Sequence, residues 1–249
     1  MALLFIESFG HWAAADYTKK GWSGEQPTIV SGRNGRSAAQ WGSNASGMQR
    51  TLPAAASTVI VGFAMNTSVL AVGNGLCFLY DENGVCHLGF AVTPAGGIVV
   101  YRSGLPGGTL IATSSLGVIS ASVWAYVEVK ATISDASGTI DIRVNGVSVL
   151  SASGLDTRNA GVASVRIIRV QNSNTSVQTA YGDLYVCDTT GSAPNNDFLG
   201  DCRVDVIYPT ANGNYTDFTP STGGDHAALV DETAPNTRSE ERRVGKECL

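Results

Sequence analysis

Charge is scarce in this chain. Charged residues make up 15% of its 249 positions, and lysine occurs only four times, against roughly a quarter charged in an average globular protein. The formal net charge is −5 and no basic run precedes the C-terminal tail, so a nucleic-acid partner held by phosphate contacts is not expected. Long apolar runs are missing too. None approaches the ~20 residues needed to cross a bilayer, so membrane insertion is not expected. Cysteine is sparse at five residues, there is no C-x-x-C pair, and the three histidines are scattered. That combination argues against a disulfide framework and a zinc site, and no metal or cofactor is expected. A secretory leader is absent from the opening Met1-Ala-Leu-Leu-Phe-Ile-Glu7, which has no positive flank and stops at an acidic residue; synthesis in the cytoplasm is the expectation. Sequons at Asn44, Asn66, Asn174 and Asn214 then carry no meaning for glycosylation.

Apolar residues and glycine are plentiful, at 43% and 29 residues, enough to build a core and to rule out a disordered chain. A sustained helical periodicity is also missing. Short alternating runs separated by Gly, Asn, Asp and Ser read as an all-β sandwich. Strands are expected at 2–6, 58–65, 76–80, 85–90, 97–102, 109–113, 123–133, 139–144, 147–151, 162–170, 179–187 and 202–208. No repeat of 20–50 residues occurs, which argues against propellers and solenoids.

One region predicts its own register. Val123, Ala125, Val127, Val129, Ala131 and Ile133 share one face of a strand, while Trp124, Tyr126, Glu128, Lys130 and Thr132 share the other. Asp135-Ala-Ser-Gly138 is turn chemistry, and it predicts the pairs Ile133–Ile140, Ala131–Ile142 and Val129–Val144. Asn145-Gly146 is a hairpin signal that pairs Val144 with Val147 and Ile142 with Val149. The opposite face carries Glu128, Lys130, Thr132, Asp141, Arg143 and Ser148, and is expected to be solvated or to line a polar groove. Cys77 and Cys86 flank the turn Asp81-Glu82-Asn83-Gly84 without facing each other and read as buried thiols. Cys187 and Cys202 bracket a loop and could bridge, although a reducing cytoplasm disfavours it.

Charge is divided along the chain. Residues 1–182 carry a balance of +2, whereas residues 183–232 carry nine acidic groups against Arg203, a balance of −8. This stretch reads as a solvated face, or else as a cation site or a dock for a basic partner.

Residues 238–248, Arg-Ser-Glu-Glu-Arg-Arg-Val-Gly-Lys-Glu-Cys, resemble the translation of a short-read sequencing adapter. The expected organisation is therefore one β-sandwich domain over 1–236 and an artefactual, disordered tail over 237–249, with the natural chain cut near Thr237.

Several blocks resemble tailed-bacteriophage virion proteins: Leu3-Leu-Phe-Ile-Glu-Ser-Phe-Gly-His-Trp12, Ile29-Val-Ser-Gly-Arg33-Asn-Gly-Arg36-Ser37, Asp183-Leu-Tyr-Val-Cys-Asp188, Asn196-Asp-Phe-Leu-Gly-Asp201, Arg203-Val-Asp-Val-Ile-Tyr-Pro209 and Phe218-Thr-Pro-Ser-Thr-Gly223. Trp124–Lys130 with Gly138–Gly146 resembles the central hairpin of concanavalin-A-like or laminin-G-like jelly rolls. The resemblance implies a two-sheet antiparallel jelly-roll sandwich of the concanavalin-A-like lectin/glucanase type. It also implies a non-enzymatic structural component of the virion, in the tail or on the particle surface. Such a component acts through interfaces with other virion proteins and with copies of itself. No functional residue carries over.

Enzyme signatures are missing as well. Jelly-roll glycosidases carry Glu-x-Asp-x-Glu patterns on one strand, whereas here Lys130 and Thr132 follow Glu128. In the predicted register Glu128 faces Asn145, which leaves Asp141 about 13 Å away at ~3.3 Å per residue, beyond the roughly 5–9.5 Å of paired glycosidase carboxylates. Neither a nucleophile elbow nor a phosphate loop is present. His11, His87 and His226 neighbour no nucleophile and read as structural. No catalytic residue is expected, and no ligand-binding residue is assigned. The alternative function is a lectin-like module that recognises a surface glycan, and a polysaccharide hydrolase ranks behind it. Aromatics that could stack on a sugar are Trp12, Trp22 and Trp41, near Arg33, Asn34 and Arg36, and also Trp124 and Tyr126 on the polar face.

Overall fold

The computed structural model describes residues 3–206 apart from residues 12, 43–45, 106 and 175. The adapter-like tail, the proposed boundary at 236, Trp12 and His226 lie outside the described residues.

In chain order the strands are β1 (Leu3–Glu7), β2 (Trp22–Gly24), β3 (Thr28–Ser31), β4 (Ser37–Trp41), β5 (Gly47–Ala56), β6 (Thr58–Thr67), β7 (Asn74–Tyr80) and β8 (Cys86–Val92). They continue as β9 (Ile98–Arg102), β10 (Thr109–Thr113), β11 (Ala125–Thr132), β12 (Gly138–Val144), β13 (Val147–Leu155), β14 (Val165–Gln171) and β15 (Thr179–Asp188). They form two sheets, paired antiparallel throughout. The larger runs β13-β12-β11-β6-β15-β4-β3, with β1 added on β15; the smaller runs β10-β9-β8-β7-β14-β5-β2. The chain is thus an all-β, two-sheet antiparallel jelly-roll sandwich. Among the described residues no helix is long and apolar enough to cross a membrane.

Period-two alternation explains the core. Val61, Phe63, Val127, Val129, Ile140, Ile142, Leu184 and Val186 point inward from the large sheet and meet Leu79, Leu88, Phe90, Val100, Ile168 and Val170 of the small one. Such side chains stabilise a domain by roughly 1.5–3 kcal/mol each when fully buried.

The faces predicted for β11 and β12 are right, but the register is shifted. Val127 faces Val144, Val129 faces Ile142 and Ala131 faces Ile140, each pair two residues from expectation. The turn is wider than its sequence suggests because Thr157 plugs it. The Thr157 hydroxyl donates to the Thr132 carbonyl at 2.7 Å and accepts from the Ser134 N–H at 2.9 Å. Ile133 leaves the ladder, and its N–H donates to the Ser57 carbonyl at 2.8 Å. Between β12 and β13, Val144 does pair with Val147, but a bulge then places Ile142 opposite Leu150 instead of Val149. Val123 and Val147, expected inside, are 56% and 65% exposed, because they lie past the rim of the sandwich. The expected strand at 202–208 is absent over its described part, residues 202–206. Its alternation has another origin, described below. The short strands β2–β4 and the Pro-containing β5 were not anticipated.

Val129 is 1% exposed in the middle of this packing. A Val129→Asp chain therefore buries an unpaired carboxylate, costing several kcal/mol of the ~5–15 kcal/mol that holds a typical domain together. Circular dichroism should find no cooperative thermal transition for it; a near-native midpoint would contradict the β11 packing.

Candidate functional site

The outer face of the large sheet is where alternation sends polar side chains. Tyr126, Glu128 and Lys130 point out from β11, and Asp141 and Arg143 from β12. On β6 and β15 the outward positions are apolar or aromatic: Ile60, Gly62 and Ala64, then Tyr185 and Cys187. A bulge between Gly182 and Tyr185 resets the pleat of β15, and Asp183 sits in it with φ +47°.

This face is not bare. Residues 197–205 cross it as an extended strap that leaves the sheet ladder alone and lies flat on the side chains. Its N–H groups go to side-chain acceptors: Leu199 donates to the Tyr185 hydroxyl at 3.1 Å, Gly200 to Glu128 Oε1 at 2.8 Å and Val204 to Asp183 Oδ1 at 2.9 Å. From Asp201 to Val206 its residues alternate between exposed and partly buried, because every second side chain there faces the sheet. That pattern is why the segment reads as a strand in sequence. Beneath it Tyr126, Tyr185, Ile60, Ala64 and Cys187 form a second apolar cluster, against which Phe198, Leu199 and Cys202 pack.

Glu128 is the centre of this arrangement. It is completely buried and accepts a 2.5 Å hydrogen bond from the Tyr185 hydroxyl, while its Oε2 has no partner among the described residues. Burial raises the Tyr185 and Tyr126 phenols well above their ordinary range, so both remain donors at physiological pH. Tyr185 lies over Gly62, where a Cβ would overlap the ring, and stacks on Tyr126 with centroids 6.5 Å apart. Arg33, from the short turn between β3 and β4, closes the other end. Its guanidinium lies 4.7 Å over the Tyr126 ring, donates to Asp183 at 2.6 Å and also binds Asp201 and the Cys202 carbonyl. Arg36 pairs with Asp205 at 2.7 Å.

At the β11–β13 end the strap leaves an open cleft of about 230 Å³. Phe198 forms one wall, with the Arg143 guanidinium 4.2 Å and the Lys130 ammonium 6.0 Å from its ring centre. Lys130 pairs with Asp197 at 3.1 Å. Burial alone would push the Asp197 carboxyl up, but the Phe198 N–H and Lys130 outweigh it and hold it below its usual range. Across the floor, Asp141 accepts from the Ser151 hydroxyl at 2.6 Å, with Ser148 beside it. Arg143 makes no ion pair among the described residues.

Several expectations about this face change. Glu128 faces Arg143, not Asn145, so Asp141 is its diagonal neighbour at roughly 8 Å between Cα atoms, not 13 Å. Separation therefore no longer argues against a carboxylate pair; the burial of Glu128 under the strap does. Glu128 is neither solvated nor open to a groove. The acidic stretch is not a bare solvated face over its described part, since Asp183, Asp197, Asp201 and Asp205 each hold a cation. Trp22 and Trp41 are 2% exposed core residues whose indole N–H groups donate to Glu7 and to the Glu25 carbonyl, so neither can stack on a ligand. Tyr126 is sealed beneath Arg33. His87 is buried between the Val162 carbonyl and the Asn159 N–H, and His11 lies beside Ser8 and Glu7. All four described cysteines are free thiols. Cys86 is only half-buried, where full burial was expected. Burial pushes Cys77, Cys86 and Cys187 up to about 12. Tyr185 and Phe198 carry no local pattern that marks them as site residues; the Asp183-Leu-Tyr185 and Asn196-Asp-Phe198 blocks stand out in the sequence only for their resemblance.

No family model matches the chain, and no curated protein matches it either. Solved structures do match in shape. One is a sialidase, at a TM-score of 0.53 and 14% identity over 74% of this chain. The match spans 18% of that sialidase. Another is alginate lyase Aly36B, as a mutant in complex with alginate trisaccharide, at 0.50 and 15% identity over 74% of this chain and 97% of the lyase. A third is the carbohydrate-binding module CBM66 from Bacillus subtilis, at 0.44 and 13% identity over 68% and 96%. What is shared is the β-sandwich fold.

Two substitutions test how the outer face is held. Tyr185→Phe removes the donor to buried Glu128 and the acceptor for Leu199, at a cost of about 1–3 kcal/mol. Gly62→Ala drives a methyl into the Tyr185 ring, at a cost of about 1–3 kcal/mol. Urea unfolding should register both losses, and limited proteolysis should cut both variants faster near residue 199. Stabilities within ~0.5 kcal/mol of the parent chain, the scatter of ordinary surface changes, would contradict the arrangement.

Proposed function

We propose that this chain is a non-catalytic glycan-binding module whose ligand docks on the outer face of the large sheet, beside Phe198. The observation that carries the reading is the composition of the open cleft. An aromatic ring, a guanidinium with no ion pair among the described residues, an ammonium, two carboxylates and two serine hydroxyls converge there. Sugars are recognised by that combination: an apolar surface for the ring face and planar polar groups for the hydroxyls. Catalysis by the nearby carboxylates is disfavoured because Glu128 is sealed under the strap, and general acid–base work needs a group within reach of the substrate. The sandwich shared with an alginate lyase captured with a trisaccharide is compatible with this reading, although fold alone never assigns function.

A particle-surface protein that recognises a host glycan unites this reading with the virion setting that the sequence resemblance implies. One further observation favours self-association. The edge strands β10 and β13 lie side by side, and Leu110 and Val147 on them are 53% and 65% exposed. Exposed apolar side chains at such an edge suit contacts with further copies or other proteins of a particle.

On a glycan array the full chain should retain a subset of oligosaccharides. Phe198→Ala and Arg143→Gln should each weaken binding roughly tenfold or more, equivalent to about 1.4 kcal/mol, with the native circular dichroism spectrum retained. Absence of any retained glycan, or unchanged affinity in both variants, would overturn the reading.

A further inference from the structure

We propose that the outer face of the large sheet is a groove for an acidic polysaccharide, and that residues 199–205 lie in it as an internal stand-in for that ligand, hinged after Phe198, which keeps its place in the cleft. This rests on the glycan-binding reading of the same face and narrows it to a polyuronate-like class.

Three of the four charged residues over 197–205 are acidic, and the fourth, Arg203, pairs with Asp205 within the segment at 2.9 Å. Asp197, Asp201 and Asp205 recur every fourth residue, and each takes a cation from the sheet side: Lys130 on β11, Arg33 in the β3–β4 turn and Arg36 just after it. The three carboxylates therefore mark a line across the strands, from the Phe198 cleft to the far edge of the sheet. Arg143 extends the cation row past the end of the strap; it makes no ion pair among the described residues and reaches the Asp197 carboxylate only through its longer-range field.

Attachment of the strap is by side chains only. None of its main-chain groups bonds to the main chain of a strand among the described residues; Tyr185, Glu128 and Asp183 receive its N–H groups instead. These acceptors would serve sugar hydroxyls equally well. Glu128 Oε2 is a buried acceptor that the strap leaves without a donor, a position a hydroxyl would fill. The mixture also selects the ligand. A phosphodiester chain would satisfy the cations but set anionic oxygens against Glu128 and Asp183. A uronate chain brings carboxylates for the cations and hydroxyl donors for the acceptors.

Displacement is within reach. The Arg36–Asp205 pair is 37% exposed on both sides, and an ion pair this open to water holds little; Asp201 is 53% exposed, and Arg33, at 13%, keeps Asp183 as a partner when Asp201 leaves. A ligand that must first expel the strap binds with an affinity reduced by the fraction of time the groove is open.

Calorimetric titration of the full chain with polygalacturonate, and with its methyl-esterified form, tests this directly. The full-length Asp201→Asn/Asp205→Asn variant should bind polygalacturonate roughly tenfold or more tightly than the parent chain. That gain should fade at high salt, disappear when Arg143→Gln is added, and be absent with the esterified polymer. Glu25→Gln/Glu82→Gln removes the same charge at exposed sites elsewhere and should bind like the parent. Near-UV circular dichroism checks folding, and the two single Asp→Asn variants carry the same comparison should the double variant not fold. Equal affinity of variant and parent would overturn the stand-in role, as would an equal gain in the charge-matched control. Equal affinity for the esterified polymer would overturn the acidic class while leaving glycan binding intact. No binding to either polymer by any variant would overturn this proposal, and the wider glycan-binding reading falls only if the array is blank as well.

Discussion

A carboxylate with no access to water, on the side of a sheet that should be wet, is the constraint from which the outer face follows. An ionised group in that position is costly unless hydrogen bonds replace its hydration. Glu128 obtains two on one oxygen, from the Tyr185 hydroxyl and the Gly200 N–H. Both donors must be brought to it. Tyr185 reaches it because Gly62 lets the ring lie flat on β6. Gly200 reaches it only because the chain turns back after β15 and crosses the sheet. The small residue, the aromatic pair and the strap are thus consequences of one acceptor.

The far end of the strap answers to a different feature. The bulge in β15 turns Asp183 outward, where its two oxygens bind Arg33 and the Val204 N–H. Arg33 then spans from that bulge to Asp201 and Cys202. Between them, Glu128 and Asp183 fix two points of a segment that has no ladder of its own. The same two acceptors, exposed by its removal, would present a hydroxyl-rich ligand with a ready-made line of partners flanked by cations. Structure and proposed function therefore share one set of residues.

How much of this was readable in the sequence depends on the range of the interaction. The alternation of Ala125–Ala131 and Ile140–Val144 identified the buried face correctly, because burial is decided residue by residue along a strand. The register of the same hairpin was two residues off, because Thr157, remote in sequence, widens the turn. Strand β5 was invisible because Pro53 and its run of alanines lack alternation; it survives because β2 covers only Met48–Arg50 of its open side. Trp22 and Trp41, in loop-rich sequence, read as aromatics that could stack on a sugar, yet each is buried with its indole N–H satisfied, by the Glu7 carboxylate and the Glu25 carbonyl. The Arg33–Asp183 pair joins residues far apart in the chain, and no local pattern announces it. Alternation over Cys202–Val206 was real but misassigned: a strap lying on a face alternates as a strand does.

The account stands or falls on whether the strap is held by Tyr185, Glu128 and Asp183 and yields to a polyuronate. Hydrogen exchange at the Leu199, Gly200 and Val204 amides measures both, because each donates to one of those acceptors. The account predicts that these amides are protected in the free chain and exchange faster in the presence of polygalacturonate. Amides that are unprotected in the free chain, or as protected with bound polymer as without it, would contradict it.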